Sequence, residues 1–482
     1  MENNFIDFVS IQLVKNSKEA LYVQLYNQLC EYIKLGRLAP GYLLPPIRKF
    51  AAFLNINAGT VVSAYRELEK NGYIFSRSGS GSYVAESNTS IDEEQPLEIN
   101  DRNIDDPETL SPLDSAMINM SSISLNPDIV SVEKFKQVLI EVLDRDQGYA
   151  FSYQESQGFY PLRESITAHL NKSGVKTTPD TVQIISGAQQ GIDIVARALL
   201  NYGDYVFTES PTYPGAIDAF RSRGAKIVDI KLESDGIDID DLEKKLRQFR
   251  PKLIYVMPNI QNPTGISYSI AKRNRLMGLA RYYNVFIFDD DFISDLSYDK
   301  NVLAPLKALD RDDRVIYLKS FSKIFMPGLR LAFLTMPKIF SAKLLSVKHL
   351  SDISTSGLTQ RAFDLYLRQG IWEKHLTEIK QTYQTQFEFT LQAIAKYLPK
   401  DVLFIKPNGG LSIWFTLPPN VSAKNITDLA FQKGVRLTEG SPFFPRQTSD
   451  QHIRISFATI RLQEITAGMQ IIGKAIEACT HL

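Results

Sequence analysis

The sequence predicts an α/β protein in which a small helix-turn-helix unit precedes a larger domain with a mostly parallel sheet. Three observations lead to this fold class. Near the N-terminus of the 482-residue chain, two short helical segments joined by a tight turn are followed by a glycine-rich hairpin sequence. An acidic segment without aromatic residues comes next. From about residue 116 onward, short apolar strands alternate with helical segments, which is typical of βαβ units.

The composition limits the number of domains and the location of the protein. A chain of 482 residues is too long for one core, so we expect two or three domains. Lys plus Arg and Asp plus Glu balance at 54 each, so any surface for nucleic acid has to be local. Cys30 and Cys479 lack metal-ligand spacing, which fits a reducing compartment. Because there is no signal peptide and no apolar run of about 18 residues, we expect a cytoplasmic protein without a membrane span.

Residues 1–84 are predicted to form the first unit. Apolar side chains recur at helical spacing over residues 20–35, and Pro46 suits the first position of a second helix. Asn57, which ends a tight turn, can cap a third helix. Residues 73–84 have the pattern of a β-hairpin around a Ser-Gly-Ser-Gly turn. Helices followed by such a hairpin predict a winged helix-turn-helix.

The charge of the first unit is compatible with a nucleic-acid partner. This unit contains nine basic and six acidic residues, a net charge of +3. Basic side chains that contact phosphates add salt-sensitive affinity that does not depend on base sequence. On composition alone, a helical protein-interaction module with solvated charges is an equally good interpretation.

Residues 85–115 are predicted to be an acidic, flexible linker. Between residues 86 and 114 the chain has ten acidic residues, one basic residue, Arg102, and no aromatic residue. Such a segment cannot bury enough apolar surface to order itself. Its negative charge should also keep it away from DNA.

Ligands of parallel sheets bind beyond the carboxyl ends of the strands, and several motifs follow predicted strands. A glycine turn at Gly187 opens a helix and suits a phosphate, although such turns are more often only turns. Tyr213 lies on a loop after a strand, where it can stack on a planar ligand or merely cover a core edge. Asn262, in an Asn-Pro-Thr-Gly sequence, can donate to a ring oxygen or belong to a plain β-turn.

Asp289, Asp290 and Asp291 end a strand whose preceding residues are apolar. Carboxylates this close repel one another unless a cation is near, and a protonated pyridine nitrogen is such a cation. Alternation along the strand points Asp290 to the face opposite the other two side chains. An acidic site for Mg²⁺ or Ca²⁺ is the alternative interpretation of the same residues.

The segment around Lys323 has the features of a Schiff-base lysine. From Ser320 to Arg330 it reads Ser-Phe-Ser-Lys-Ile-Phe-Met-Pro-Gly-Leu-Arg, and it follows an apolar strand. Partial desolvation lowers the pKa of an ammonium group and frees the amine as a nucleophile. Arg330, behind a Pro-Gly turn, offers a fork of donors suited to a phosphate. For the short Ser-x-x-Lys motif alone, a surface turn with two ordinary cations is the alternative.

With these motifs, residues 153–458 resemble a fold-type I aminotransferase domain, a family that binds pyridoxal 5′-phosphate (PLP). The resemblance implies a large PLP-binding domain over residues 116–340 and a small domain over residues 341–482. It implies that Lys323 forms the Schiff base with PLP and that Asp290 pairs with the pyridine nitrogen. It implies no metal ion.

The same resemblance assigns roles to further positions. Asn262 would donate to the ring oxygen of PLP, and Tyr213 would stack on the ring. Arg454 matches the arginine that grips the carboxylate of an amino acid, although on its own it also fits a surface strand cation. Tyr153 matches a residue that reaches the phosphate of the partner subunit, which implies a homodimer. The positions that match the phosphate site are Gly187, Ala188, Gln189, Ser320, Ser322 and Arg330.

Phe292 departs from the aminotransferase pattern. It stands where many members of that family have a tyrosine beside the ring oxygen. Without that hydroxyl group, the pKa of the Schiff base and any proton transfer should differ. The departure argues against efficient turnover.

Residues 20–84 resemble the GntR-type DNA-binding domain. The matching positions are Leu44-Pro45, Arg48, Thr60-Val61 and Gly79-Ser80-Gly81. The resemblance implies that DNA is contacted by Arg48, Thr60, Arg66 and the wing at Gly81. Two positions depart from the family. Pro46-Ile47 replaces a serine pair, and Ala58, whose side chain cannot hydrogen-bond to DNA, stands where an arginine often opens the recognition helix.

Together the two resemblances match the MocR-type subfamily of GntR regulators. They imply a transcriptional regulator in which an amino compound, or PLP itself, is sensed at Lys323 and changes how a dimer presents its DNA-binding heads to operator sites. An active PLP-dependent aminotransferase with an appended DNA-binding module is the alternative. A scaffold that binds DNA without cofactor is a third interpretation. The fusion of the two domains through an acidic linker favours the regulator.

Overall fold

The structure is a computed structural model, and it describes residues 5–8, 11–14, 17, 19–34, 37–39, 41–71, 73–77, 81–85, 117–299, 303–446 and 451–480. These residues form two compact units, one before residue 100 and one after it. Nearly all of the predicted linker, 85–115, lies outside the described residues, as do Gly79 and Ser80 of the predicted wing. None of the helices in this part of the chain has the length and apolar composition that a membrane span requires.

The first unit contains a bundle of helices followed by an antiparallel hairpin. Its regular elements are α1 (Leu21–Lys34), α2 (Ile47–Leu54), α3 (Ala58–Lys70), β1 (Ile74–Arg77) and β2 (Gly81–Val84). In the hairpin, Ile74 lies opposite Val84 and Arg77 lies opposite Gly81. This order of elements confirms the predicted winged helix-turn-helix.

Local hydrogen bonds fix the turn between α2 and α3. Asn55 ends α2 in the left-handed conformation with φ of 51°. Asn57, predicted to cap α3, accepts a hydrogen bond from the backbone N–H of Gly59 at 2.8 Å. The buried Tyr65 hydroxyl donates to the carbonyl oxygen of Pro45 at 2.9 Å and so ties α3 to the start of α2. Pro46 was predicted as the first helical residue of α2, but its ψ of 133° makes it the N-cap.

One apolar cluster holds these elements together. All three helices and both strands contribute buried side chains to it, among them Leu25, Leu29, Phe50, Val61, Leu68, Ile74 and Val84. Burying an aliphatic or aromatic side chain of this size stabilises a fold by about 1.5–3 kcal/mol. Because α3 turns Val61 and Leu68 toward this core, its opposite side is left for solvent or a partner.

The second unit is built on an eight-stranded sheet with the order β4-β11-β10-β9-β8-β5-β6-β7. The strands are β4 (Val182–Ile185), β5 (Tyr205–Ser210), β6 (Lys226–Glu233), β7 (Gly236–Ile237), β8 (Leu253–Val256), β9 (Phe286–Asp291), β10 (Val315–Ser320) and β11 (Ala332–Thr335). The strands from β10 to β6 run parallel, whereas β11 and β7 are antiparallel to their neighbours. The mostly parallel sheet that the sequence predicted is therefore confirmed.

Helices cover both faces of this sheet. On one face, α6 (Ala188–Leu199), α7 (Pro214–Arg221) and α11 (Ser341–Asp352) pack on a cluster that includes Phe288. On the other face, α8 (Ile239–Gln248) and α9 (Ile270–Tyr282) pack on a cluster that includes Ile287. Because Ile287 and Phe288 are consecutive in β9, the alternation of that strand continues into its acidic end and sends Asp289 and Asp290 to opposite faces.

The C-terminal part of the second unit adds a smaller sheet with the order β12-β13-β16-β15, antiparallel throughout. Its strands are β12 (Leu403–Phe404), β13 (Ser412–Thr416), β15 (Thr438–Glu439) and β16 (His452–Ser456). β3 (Ile118–Asn119) pairs in parallel with β14 (Val435–Arg436). The remaining helices are α4 (Val132–Asp146), α5 (Tyr160–Lys172), α10 (Leu306–Leu309), α12 (Gly357–Arg368), α13 (Ile371–Tyr397), α14 (Ala423–Gln432) and α15 (Leu462–Thr480).

Candidate functional site

The residues that the motifs singled out in the second unit meet at the carboxyl edge of the parallel strands. Tyr213 follows β5, Asn262 follows β8, Asp290 belongs to β9, and Lys323 comes shortly after Ser320 at the end of β10. Because these four strands are parallel neighbours, their carboxyl ends lie along one edge of the sheet. Asn262 and Asp290 are buried there, whereas Tyr213 and Lys323 are half-buried.

Asp290 is buried with one oxygen unsatisfied. Its Oδ2 accepts a hydrogen bond from the Tyr255 hydroxyl at 2.6 Å, and its Oδ1 has no hydrogen-bond partner among the described residues. Burial raises the pKa of Asp290 to about 7; the Tyr255 hydroxyl opposes this shift and Asp291 adds to it. A protonated ring nitrogen would supply both the missing donor and the positive charge that keeps this acid ionised.

The other two carboxylates of the acidic run have partners within the protein. Asp291 accepts hydrogen bonds from the Lys319 ammonium at 3.1 Å and from the Tyr317 hydroxyl at 2.8 Å. Although burial acts in the opposite direction, Lys319 holds the pKa of Asp291 below its usual value. Asp289 accepts from the backbone N–H of Leu306 at 2.8 Å, and burial together with Asp291 raises its pKa to about 8. Lys319, the internal cation of this cluster, was not among the predicted site residues.

The geometry does not favour the alternative of an Mg²⁺ or Ca²⁺ site. In the part of the chain that the structure describes, no group of three or more His, Cys, Asp or Glu side chains is arranged to hold a metal ion. The Lys319 ammonium lies 2.6 Å from Asp295 as well as 3.1 Å from Asp291. This lysine therefore occupies the position between two carboxylates where a cation would bind.

The turn from β4 to α6 can hold an anion. Gly187 precedes α6 with φ of 98°, and Ala188 and Gln189 begin the helix, so their backbone N–H groups are directed away from it. A methyl group at Gly187 would overlap the guanidinium of Arg330. Arg330 also donates from Nη2 to the carbonyl oxygen of Ser186 at 3.1 Å. Only glycine at position 187 lets this cation lie against the N-terminus of α6.

Two further contacts tie neighbouring side chains to this anion site. The Tyr213 hydroxyl donates to Gln189 Oε1 at 3.1 Å, and Gln189 Nε2 donates to the carbonyl oxygen of Gly215 at 2.9 Å. Ser320 Oγ accepts from the backbone N–H of Ser322 at 3.3 Å, which folds the turn at the end of β10. The donors of a helix N-terminus, a guanidinium and two hydroxyl groups match the needs of a phosphate.

Asn262 and Arg454 are in direct contact. Arg454 Nη1 donates to Asn262 Oδ1 at 3.1 Å, and its Nη2 donates to the carbonyl oxygen of Ser121 at 3.1 Å. Because a guanidinium has no acceptor, the amide atom that faces Arg454 has to be the oxygen, and Asn262 Nδ2 is the group that can donate to a ring oxygen. The guanidinium also lies over the Phe443 ring, 5.1 Å from its centroid. The site thus contains a buried arginine beside the predicted ring partner.

Glu209 supports the site, although it was not among the predicted site residues. It is fully buried at the end of β5 and accepts hydrogen bonds from the Tyr268 hydroxyl, the Met257 backbone N–H and Gln261 Nε2. Burial raises its pKa to about 7, although these three donors lower it. Gln261 in turn accepts from the backbone N–H of Thr264 at 3.0 Å. Glu209 therefore fixes the loop that carries Asn262, and an acid inside an apolar strand was the signal available in the sequence.

The two remaining positions that the aminotransferase resemblance singled out are Tyr153 and Phe292. Tyr153 is 84% exposed on the loop between α4 and α5. Phe292 is half-buried and lines a small cavity together with Asn262 and Ile123. The cavity wall next to Asn262 therefore has an aromatic ring without a hydroxyl group.

The residues predicted to contact DNA lie on the surface of the first unit. Arg48 on α2 and Arg66 on α3 are exposed, and Thr60 on α3 is half-buried. Gly81 is exposed with φ of 116°, and a methyl group there would approach the Leu43 side chain to 2.8 Å. The backbone conformation at the start of β2 therefore already requires glycine at position 81.

The fold and the two sets of residues define the class of protein: a winged helix-turn-helix followed by a domain of the type that binds PLP. Sequence comparison agrees with both assignments. Residues 120–472 match the family of aminotransferases of class I and II, and residues 21–84 match the bacterial regulatory proteins of the gntR family. The chain belongs to the aminotransferase class I and II family and carries a GntR-type DNA-binding domain in front of it.

Relatives of two kinds match different extents of the chain. The HTH-type transcriptional regulator YdfD of Bacillus subtilis is 26% identical over 96% of this chain and 98% of its own. The kynurenine aminotransferase of Pyrococcus horikoshii, solved in complex with PMP, is 31% identical with a TM-score of 0.73, covering 76% of this chain and 91% of its own. LysN of Thermus thermophilus, an α-aminoadipate aminotransferase complexed with N-(5′-phosphopyridoxyl)-L-leucine, is 29% identical with a TM-score of 0.72, covering 78% and 96%. The full-length match to a regulator is consistent with the MocR-type subfamily.

Lys323→Ala is expected to abolish covalent attachment of PLP without unfolding the protein. Lys323 is half-buried beside the strand ends and is the lysine of the Ser320–Arg330 motif, and the Lys319 ammonium forms ion pairs with Asp291 and Asp295. Borohydride reduction of the PLP-loaded protein and peptide mass spectrometry should place the phosphopyridoxyl group on Lys323. Lys343→Ala removes an exposed lysine of α11 and should keep the visible absorption band. A label on Lys319, or an unchanged band in the Lys323→Ala protein, would contradict the assignment.

Proposed function

We propose that this protein is a PLP-dependent transcriptional regulator. It binds operator DNA through residues 1–84 and senses a small amino compound, or PLP itself, within residues 116–482. One observation carries the proposal: a GntR-type DNA-binding domain and a full set of side chains suited to PLP occur in the same chain. Residues 85–115 serve as the linker, and the second unit divides near residue 340 into a large and a small domain. Because we propose that the protein binds DNA, we also propose that it is located in the cytoplasm.

Lys323 and Asp290 hold the reactive part of the cofactor in this proposal. When bound, PLP supplies an aldehyde that condenses with amines and a ring that withdraws electrons. Lys323 provides the amine for covalent attachment. Asp290 keeps the ring nitrogen protonated. Its Oδ1 can accept a hydrogen bond from the ring N–H group, and its negative charge stabilises the positive charge of the ring. Tyr255 orients Asp290 through its hydroxyl group.

The remaining side chains bind and orient the ligand. Tyr213 stacks on the ring and Asn262 donates to the ring oxygen. The phosphate is assigned to Gly187, Ala188, Gln189, Ser320, Ser322 and Arg330. Arg454 is assigned to the carboxylate of the effector, since a buried guanidinium favours an anion with two oxygens. If the effector is an amino compound, Arg454 indicates that it has a carboxylate.

Sensing, rather than turnover, is the role we assign to this site. Phe292 provides no hydroxyl group to hold or move a proton beside Asn262, and it lines the same cavity. The alternative of an active aminotransferase rests on the aminotransferases among the relatives, such as the 2-aminoadipate transaminase of Thermus thermophilus, which is 31% identical over 74% of this chain and 89% of its own. Steady release of a keto acid from an amino acid would assign that role instead.

Arg48→Ala is expected to weaken operator binding and to reduce its dependence on salt. Arg48 is an exposed cation on α2, and each lost phosphate contact lowers the slope of log affinity against log salt by roughly one. Fluorescence anisotropy at several salt concentrations measures both effects. Arg311→Ala removes an exposed arginine of the second unit and serves as the control. Equal affinities for wild type and Arg48→Ala at all salt concentrations would move the DNA surface elsewhere.

A homodimer is the assembly that we propose for the second unit. Between α4 and α5, three aromatic side chains point into solvent: Tyr149 is 77%, Phe151 70% and Tyr153 84% exposed. Aromatic side chains exposed side by side are typical of an interaction surface. A second copy of the chain would cover them and would bring its Tyr153 to the phosphate site of the first copy.

Phe151→Glu is expected to shift the protein from dimer toward monomer. A charge at this position would be buried without a partner in the dimer and solvated in the monomer. Analytical ultracentrifugation over a range of concentrations measures the shift. Tyr202→Glu places the same charge at a tyrosine that is 85% exposed outside this patch and should leave the dimer intact. An unchanged dimer in Phe151→Glu would rule out the patch as the interface.

A further inference from the structure

The outer face of α3 is formed by unusually small side chains. The first eight residues of this helix are Ala-Gly-Thr-Val-Val-Ser-Ala-Tyr, without any charged or amide side chain. Val61, Ala64 and Tyr65 are buried in the core of the first unit. Four residues lie on the side of α3 that is turned away from that core: Gly59, Thr60, Val62 and Ser63. We call them the outer face of α3. Gly59 is exposed and the other three are half-buried.

The outer face itself carries the hydroxyl groups of Thr60 and Ser63 but no guanidinium, ammonium or amide group. In helix-turn-helix proteins, the N-terminal half of the second helix of the motif contacts base edges in the major groove. Asn57, just before α3, uses its side-chain oxygen to accept from the Gly59 N–H at 2.8 Å, so this oxygen is already engaged as a cap. Arg66 is the first cation of the helix and lies one turn beyond Val62 and Ser63. Within the outer face, no side chain therefore has the two donors or acceptors that a bidentate contact with guanine or adenine requires.

Small side chains permit a different kind of readout. Gly59 and Ser63 allow the helix backbone to come close to the bases, because they add little bulk on the side facing outward. Thr60 and Val62 flank this row and present methyl groups. Thymine is the DNA base with a methyl group in the major groove, and apolar side chains contact it there. The hydrogen bond from Tyr65 to Pro45 fixes α3 against α2, so the depth of entry is set by the fold.

We propose that α3 reads its operator through the methyl groups of thymine, with Thr60 and Val62 as the residues that determine specificity. This inference rests on the proposed function in DNA binding. If it is correct, each half-site of the operator contains A·T pairs at the centre of the contact with α3. The exposed Arg66 on α3 and Arg48 on α2 then contribute phosphate contacts that add affinity but little sequence preference.

Replacing thymine by uracil in the operator tests this proposal directly, because uracil lacks only the C5-methyl group. Operator sequences are first selected from random DNA with the full-length protein. Each thymine is then replaced singly, and affinity is measured by fluorescence anisotropy. Replacement at a contacted position should weaken binding roughly fourfold, the effect of exposing one buried methyl group. The replacement should have no effect outside the half-site centres.

Thr60→Ser links the effect to the protein, because it removes the side-chain methyl group and keeps the hydroxyl. In this variant, uracil and thymine should bind equally at the position that Thr60 contacts, and Val62→Ala should do the same at a second position. Thr385→Ser makes the same change at an exposed position of α13 in the second unit; it is the matched control and should keep the difference between the two bases. Circular dichroism verifies that each variant is folded, as expected for changes at half-buried or exposed positions.

The outcomes separate this inference from the function on which it rests. A selected operator whose affinity does not change at any uracil position would overturn the thymine readout and leave DNA binding intact. A uracil effect that persists in both Thr60→Ser and Val62→Ala would also overturn it, because the methyl groups would then be read by other residues. If the protein binds no DNA in the selection, the proposed function itself is wrong.

Discussion

The end of β9 imposes the strictest physical constraint on this structure: three consecutive carboxylates are buried within one strand end. Unpaired buried charges are costly, so each acid needs its own solution. Lys319 neutralises Asp291, and Asp289 accepts from the backbone N–H of Leu306 while burial and Asp291 raise its pKa to about 8. Asp290 accepts from the Tyr255 hydroxyl, and among the described residues Oδ1 of Asp290 and Oδ1 of Asp289 both have no hydrogen-bond partner. In the proposed function, a cationic ring would donate to the open oxygen of Asp290 and match its negative charge.

The sequence predicted the secondary-structure elements and the directions of side chains better than it predicted the residues that each side chain contacts. The facing of Asp290 followed from the period of a strand, and the cap at Asn57 followed from its position before a helix, because both depend on a few neighbouring residues. The contacts of Lys319, Tyr255 and Glu209 depend on strand order and on loops that meet across it, which no local pattern specifies. For each of these three residues, the only local indication of such a contact in the sequence was a polar side chain inside an apolar strand. The family motifs predicted which residues gather at the strand ends, but not the hydrogen bonds that hold them there.

The two units contribute different physical requirements to regulation. The second unit can report on a ligand only if the ligand binds one arrangement of the dimer more tightly than another, since equal affinities shift no equilibrium. The first unit needs affinity for DNA that is moderate enough to respond to such a shift. A recognition helix with small side chains in its N-terminal half suits this need, because methyl contacts are individually weak. Under this account, the identity of the operator and the response to an effector are encoded in separate parts of the chain.

The affinity of the full-length protein for its operator, measured with and without a panel of amino acids on PLP-loaded protein, tests the central claim most directly. If the second unit is a sensor, at least one amino compound should change the operator affinity of the wild type by about fivefold or more, a typical coupling between two sites. The same compound should have no effect on the Lys323→Ala protein. Operator binding that is identical with and without PLP and all amino compounds would contradict the account, because the two units would then act independently.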